Sequence, residues 1–200
     1  MAESAPSGRP VGRPREFDEE KVLEAAMDAF WEKGYEATSL ADLCIRTGLH
    51  KGSLYQAFGD KHELFMQALR HYAQTEFDDV ASVAQQQASP LASIRAAVAK
   101  ICADACQDKG CLMINSMVEL APHDPEVKAA LRSFGGQRLR VMTDLIAAAQ
   151  AAGEIRSKQD PYKLARQLMV TLAGGAAMVK GFLKPKDVGE VMNDLLDSWV

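Results

Sequence analysis

Apolar residues recur along the chain mainly at the spacing of an α-helix, and no stretch alternates apolar and polar residues as a half-exposed β-strand does. The first clear run predicts a helix that starts at a cap on Asp18, after Phe17, and ends at Gly34. Its apolar stripe consists of Val22, Ala25, Ala26, Ala29 and Phe30. The pattern as a whole predicts an all-α protein.

Capping residues and prolines divide the rest of the chain into further helices. A long helix is expected to start at Asp60 and to run for about 25 residues. Proline suits the first turn of a helix, so Ser89-Pro90, Asp124-Pro125 and Asp160-Pro161 each predict a new start. A short helix is predicted over 111–120 and a last one over 186–199.

Residues 38–62 predict two short helices joined by a tight turn. The hydroxyls of Thr38 and Ser39 suit a helix start, and Gly48 can end that helix in the left-handed conformation. The second helix opens at His50 with a polar and basic face. This is the pattern of a helix-turn-helix, at about residues 39–58, whose second helix enters the DNA major groove. An ordinary helical hairpin with solvated polar residues is the alternative.

The open face of that second helix carries the side chains expected to meet DNA. Lysine, serine and glutamine can bond to base edges or phosphates, and a tyrosine hydroxyl reaches phosphate. Gly52 lets the backbone approach DNA, and Lys61 opens the following helix, where it could touch a phosphate. The predicted contacts of this module are Thr38, Ser39, His50, Lys51, Gly52, Ser53, Tyr55, Gln56 and Lys61.

The first 16 residues are rich in Pro, Gly and Ser, and we expect a disordered basic arm. Two Gly-Arg-Pro units occur in it, at residues 8–10 and 12–14, followed by Arg15. Proline keeps such an arm extended, and arginine suits the narrow minor groove of A·T-rich DNA. Arg13 and Arg15 are therefore predicted DNA contacts. A flexible tail that adds only nonspecific affinity is the alternative.

The stretch from Phe17 to Tyr72 resembles the DNA-binding domain of the TetR/AcrR family of transcriptional regulators. The matching pieces are VLEAAMDAFWEKGYEATSLADL and GLHKGSLYQAFGDKHELF. The resemblance implies about nine helices: a three-helix DNA-binding domain, here 17–62, and an effector-binding and dimerisation domain, here 63–200. It also implies a homodimer in the bacterial cytosol, and in most members a repressor that a small molecule releases from DNA.

The last two predicted helices each carry an apolar stripe that is a candidate for the dimer interface. The stripes consist of Leu164, Leu168, Leu172 and Ala176, and of Val188, Val191, Met192, Leu195 and Leu196. Gly174-Gly175 would permit close approach of two helices. The alternative is that both stripes face the protein's own core. A dimer predicts a palindromic operator, because two recognition helices then meet two half-sites.

Composition agrees with a cytoplasmic protein. No apolar run approaches 18 residues, so no membrane span is predicted, and the N-terminus lacks the hydrophobic segment of a secretory signal. The net charge of −4 does not exclude DNA binding, because a local positive face suffices. The four cysteines should be reduced in such a compartment. We expect no cofactor.

Soft side chains cluster in the middle of the chain and pose the question of the effector. The residues expected to contact or sense an effector are Cys106, Cys111, Met113, Asn115 and Met117, and Cys102 lies nearby in the sequence. Three interpretations stay open. The cysteines and methionines fill a core; a thiol senses oxidants or electrophiles, with the helix start and Lys109 lowering the pKa of Cys111; or thiolate and thioether bind Cu(I).

Otherwise the effector is a small organic molecule in a mostly apolar pocket. Asn115, Glu119 and Arg138 are possible polar liners, although Glu119 could as easily cap a helix or pair at the surface. A cysteine-dependent enzyme using Cys111 and His123 is the competing class. The chain has neither a Gly-x-Ser-x-Gly motif nor a phosphate loop to support it, so no enzymatic activity is expected.

Overall fold

The computed structural model describes residues 17–106 and 109–200, and within these ranges every regular element is an α-helix. The predicted all-α fold is therefore confirmed. The helices are α1 (Glu19–Lys33), α2 (Leu40–Thr47), α3 (Lys51–Phe58), α4 (Lys61–Gln85), α5 (Pro90–Ala105), α6 (Leu112–Glu119), α7 (Pro125–Ala151), α8 (Pro161–Val179) and α9 (Pro185–Asp197). The predicted arm, with Arg13 and Arg15, lies outside the described residues.

Side-chain caps start most of these helices, as the sequence predicts. Ser39 and Asp60 each form a capping box with the acid three residues later, which satisfies amide groups that have no partner within the helix. Asp124 accepts from the amides of Glu126 and Val127 at the start of α7. Four helices carry proline in their first turn. These local signals explain why the predicted boundaries lie close to the observed ones.

Two apolar clusters form the core. The first joins α1 to α4 and continues into α6 and the first turns of α7. At its centre, Phe30 and Phe65 meet edge to face, with their ring centroids 5.2 Å apart. The second cluster joins α5, α7, α8 and α9 around Ile146 and Leu168, and its end is closed by Trp199.

Among the described residues, none of the helices has an apolar stretch long enough to cross a lipid bilayer.

The stripes proposed for the dimer interface instead belong mainly to the second cluster. Leu164 and Leu168 of α8 and Leu196 of α9 are fully buried, and Val188 packs against Gly175. The interpretation that these residues face their own core is therefore correct. Their neighbours on the outer side of the same helices remain exposed, notably Val191.

Candidate DNA-binding face and effector cavity

The helix-turn-helix is formed by α2 and α3, with the left-handed Gly48 ending α2. Leu54 and Phe58 anchor α3 in the core, so the rest of that helix faces outward. The predicted contacts His50, Lys51, Gly52, Ser53, Tyr55 and Gln56 are all exposed, as is Ser39 at the start of α2. These seven residues form one polar surface, which we call the α3 face.

Two predicted contacts lie apart from the α3 face. Thr38 is fully buried, and its hydroxyl donates to the carbonyl of Gly34 at 2.6 Å. Its side chain cannot reach DNA, so its assignment as a DNA contact is wrong: Ser39 caps α2, and Thr38 turns inward to hold the end of α1. Lys61 is partly buried, with Nζ 4.3 Å from the centroid of the Tyr35 ring.

Ion pairs brace the helix-turn-helix against α1. Lys33 binds Asp42 at 2.5 Å, and Arg46 pairs with Glu32. The Arg46 charge is therefore compensated by a neighbouring carboxylate of the same chain. Lys51, whose Nζ lies 5.6 Å from the centroid of the Tyr55 ring, is the cation that the α3 face itself presents.

A largely apolar cavity of about 300 Å³ lies among α4, α5, α6, α7 and α8. This volume is at the lower end of the roughly 300–1,000 Å³ typical of small-molecule sites. Its charged lining consists of Glu76 and Arg138, whose side chains pair at 2.5 Å. Sulfur side chains contribute much of the remaining wall: Cys111, Met113, Met117, Met142 and Met169.

The helix-turn-helix region is bound to the larger domain by polar contacts between the end of α1 and the two ends of α6. Glu119, the last residue of α6, accepts hydrogen bonds from the amides of Tyr35 at 3.1 Å and Glu36 at 2.9 Å. The Trp31 indole N–H donates to the Gly110 carbonyl at 2.9 Å. We call these contacts the interdomain clamp.

A second anchor holds the start of α4 to the start of α7. His62 Nε2 lies 2.7 Å from an Asp124 carboxylate oxygen. Burial alone would raise the pKa of Asp124, but the hydrogen bonds from the Val127 amide and from His62 outweigh it and lower the pKa. The ionised carboxylate therefore holds both helix starts together.

Comparison with known proteins agrees with this architecture. The family described as "Bacterial regulatory proteins, tetR family" matches residues 22–68, and "Tetracyclin repressor-like, C-terminal domain" matches residues 88–195. The second match alone spans more than half of the chain. The protein belongs to the TetR family. The family predicted from residues 17–72 is therefore confirmed. Its relatives are transcriptional regulators and not enzymes.

Individual relatives extend over nearly the whole chain. The HTH-type transcriptional repressor ComR of Escherichia coli is 34% identical over 196 residues, which are 94% of this chain and 91% of ComR. The structure of a cysteine mutant of the TetR family regulator CifR, complexed with 26-bp operator DNA, superposes with a TM-score of 0.82 at 29% identity. That likeness covers 94% of this chain and 100% of CifR. A TetR regulator from Chloroflexus aurantiacus (23% identity, TM-score 0.80, covering 89% of this chain and 91% of its own) shares the fold.

In this TetR-family chain the predicted sensor residues separate into different places. Cys111, Met113 and Met117 line the cavity, whereas Cys106 is buried in the second core cluster and is absent from the cavity wall. Asn115 also lies elsewhere, since its side chain bonds the Lys109 carbonyl and the Lys180 ammonium. Asn115 is therefore not a polar liner of the cavity.

The surroundings of Cys111 oppose the thiol activation that the sequence predicts. Cys111 caps α6, but burial raises the pKa of its thiol, and the nearby Glu76 carboxylate raises it further. Lys109, expected to assist, instead pairs with Glu32 at 3.1 Å and Asp28 at 3.5 Å.

The Cys102 and Cys106 thiols are also kept in their neutral form, because burial raises both pKa values, that of Cys102 to about 12.

The residue that sequence reasoning missed is Glu76. It follows Leu69, Tyr72 and Ala73 on the apolar face of α4, so a carboxylate at a position expected to be apolar was the signal available. Arg138 was correctly named as a polar liner of the cavity. Glu119 does not line the cavity. It accepts hydrogen bonds from backbone amides, as a capping residue does, within the interdomain clamp.

Proposed function

We propose that this regulator is a homodimeric repressor that binds a palindromic operator through the α3 face and leaves it when an effector occupies the cavity. The observation that carries this proposal is α6. Its residues Met113, Ile114 and Met117 line the cavity, and its last residue, Glu119, holds the end of α1 through the interdomain clamp. An effector that moves α6 therefore acts on the domain that carries α3.

The outer surface of the last two helices supports a dimer. Val170 and Met178 of α8 and Val191 of α9 are 73%, 46% and 51% exposed, although all three are apolar. A Cβ atom added to Gly174, between the two α8 residues, would meet no atom within 4 Å. An exposed apolar strip with a glycine in it suits close packing against the same strip of a second copy about a two-fold axis.

The sign of regulation rests on the relatives. ComR is named a repressor, and CifR was captured on operator DNA. The DNA contacts, the minor-groove role of Arg13 and Arg15, and the division after residue 62 stay parts of this proposal.

Mobility of labelled upstream DNA in a native gel tests the proposal. The intact dimer should retard the fragment that precedes its own gene, and Lys51→Ala should weaken binding and lower the slope of log affinity against log salt by about 1 for each protomer. Lys158→Ala removes an exposed lysine on the α7–α8 connection and should leave both quantities unchanged. Retardation that ignores Lys51→Ala would contradict the assigned DNA face.

A thiol-reactive molecule is one candidate effector, because Cys111 lines the cavity. The test is release of the operator by a reactive aldehyde that fits the cavity. Cys111→Ser should abolish that release and keep operator binding. If Cys111→Ser still responds fully, Cys111 is not the sensor.

Cu(I) is the second candidate effector, because one thiol and two thioethers, from Cys111, Met113 and Met117, line the same cavity. Among the described residues, no group of three or more His, Cys, Asp or Glu side chains is placed to hold a metal ion. A Cu(I) site would therefore depend on the methionines. Anaerobic titration with Cu(I) against a chelator should show binding that Met113→Leu weakens.

A further inference from the structure

Glu76 is an acid placed where α4 needs an apolar residue. It is 6% exposed and shares its face of the helix with Tyr72 and Ala73. A carboxylate buried in apolar surroundings is stable only when each oxygen finds a donor or a counter-charge. The hydrogen-bond partners of its two carboxylate oxygens therefore show whether the buried charge is fully compensated within the protein.

The two oxygens of Glu76 differ. Oε2 accepts from the Arg138 guanidinium at 2.5 Å. Oε1 is inaccessible to solvent and has no hydrogen-bond partner in the described part of the protein. Replacing a buried ion pair by apolar residues is often neutral or stabilising, so packing alone does not account for this pair. The half-satisfied carboxylate can therefore accept a further hydrogen bond from a donor outside the chain.

Glu76 lines the effector cavity, so a bound molecule can supply that donor. Apart from Glu76, Arg138 and the Cys111 thiol, the side chains of the wall are hydrocarbon or thioether. Arg138 and Glu76 already neutralise each other. A cationic molecule would therefore leave one uncompensated charge in an apolar cavity, and an anion would face the Glu76 carboxylate.

We propose that the cavity recognises a neutral, mainly apolar molecule of one or two rings through a hydroxyl group that donates to the Glu76 carboxylate, whose unpaired Oε1 turns toward the ligand as it binds. This inference rests on the proposed function, because it specifies the effector of the same cavity. A hydroxyl donor gives a short charge-assisted hydrogen bond, and the cavity of about 300 Å³ limits the rest of the molecule to a compact aromatic or alicyclic body.

The test compares naphthol with its methyl ether, which has a similar shape but no hydroxyl donor. Binding to the full-length protein is measured by calorimetry in the absence of DNA. A hydrogen bond to a charged acceptor predicts that naphthol binds roughly 10-fold to 100-fold more tightly than the ether. Equal affinities, or no binding of either compound, would overturn the inference.

Removing the ion pair as a unit tests whether Glu76 is the acceptor. In Glu76→Met/Arg138→Met the cavity stays apolar and no unpaired charge is left behind. The preference for naphthol over its ether should disappear, while the ether binds as before or better. A preference that survives in the folded double variant would place the acceptor elsewhere and refute the proposal.

Two adjacent glycines of α7 provide a matched pair that locates the ligand. Gly135 lines the cavity and Gly136 does not, and a Cβ atom added to either meets nothing within 4 Å. Gly135→Met should fill the cavity and lower naphthol affinity at least about 10-fold, whereas Gly136→Met should not change it. If both variants bind naphthol normally, the ligand is not in this cavity.

These outcomes are separate from those that test the regulator itself. Retardation of operator DNA in the native gel does not depend on naphthol, so the ligand inference can fail while the DNA-binding proposal stands. If naphthol binds as expected but no fragment of upstream DNA is retarded by the protein, the proposed function fails instead.

Discussion

Thr38 offers a sharp test of a structural role against a DNA-contacting role. In Thr38→Val a methyl group replaces the buried hydroxyl, and the side chain keeps nearly the same shape. The Gly34 carbonyl then loses a donor that lies 2.6 Å away, and the Ala29 carbonyl loses one at 3.3 Å. The substitution leaves the α3 face unchanged.

The expected magnitude follows from the burial of Thr38, which is 0% exposed. A buried acceptor that loses its donor costs about 1–3 kcal/mol. A central value of about 2 kcal/mol corresponds to a fall in Tm of about 4–8 °C for a protein of this size. Thr38→Ser keeps the hydroxyl and removes one methyl group, which should cost about 1 kcal/mol.

Urea denaturation and the native-gel assay, run on the same preparations, distinguish the two roles. Thr38→Val should unfold at lower urea than Thr38→Ser, and each folded variant should bind operator with unchanged affinity and salt dependence. If Thr38→Val retains wild-type stability but loses operator affinity, our assignment of Thr38 to the interior is refuted.

Three further predictions concern other parts of the chain. Hydrogen bonds from Lys33 and Ser39 hold the pKa of Asp42 below its usual value, so its ionised form stabilises the fold above about pH 4 and this contribution is lost at lower pH. Asp42→Asn should therefore lower Tm at neutral pH and converge on the wild type in acid; a constant difference in Tm at every pH would contradict this. Iodoacetamide should modify the partly buried Cys44 before Cys111, as peptide mass spectrometry would show, and the reverse order would contradict the burial argument. Glu119→Ala should keep operator binding but reduce its response to a cavity ligand, since the interdomain clamp is lost; an undiminished response in gel retardation would exclude the clamp as the route.

Much of the fold could be predicted from the sequence because its signals are local. Apolar spacing, caps such as Asp60 and Asp124, and prolines in first turns depend only on neighbouring residues, and the helices begin where these signals stand. The exposed residues of α3 were also predictable, because Leu54 and Phe58 fix which side of that helix faces the core.

What failed depends on contacts between distant segments. Either hydroxyl of Thr38-Ser39 could cap α2, and only the packing of α1 shows that Thr38 turns inward. The helix start that should activate Cys111 is overridden by burial beneath Tyr72, whose hydroxyl lies 3.6 Å from the sulfur. The clamp at Glu119 joins residues more than 80 positions apart, a separation that no local pattern reveals.

The first core cluster has a consequence for engineered chimaeras. Leu112, Leu120 and Val127 belong to the same buried cluster as Phe30 and Leu54, so residues 17–62 share one interior with the following part of the chain. A hybrid that joins residues 17–62 to the C-terminal domain of another regulator would lose this shared packing. Apolar side chains of both parts would then be exposed. A stable hybrid should therefore include α6 and the first turns of α7 together with residues 17–62, or should have the contact surface between the two parts redesigned.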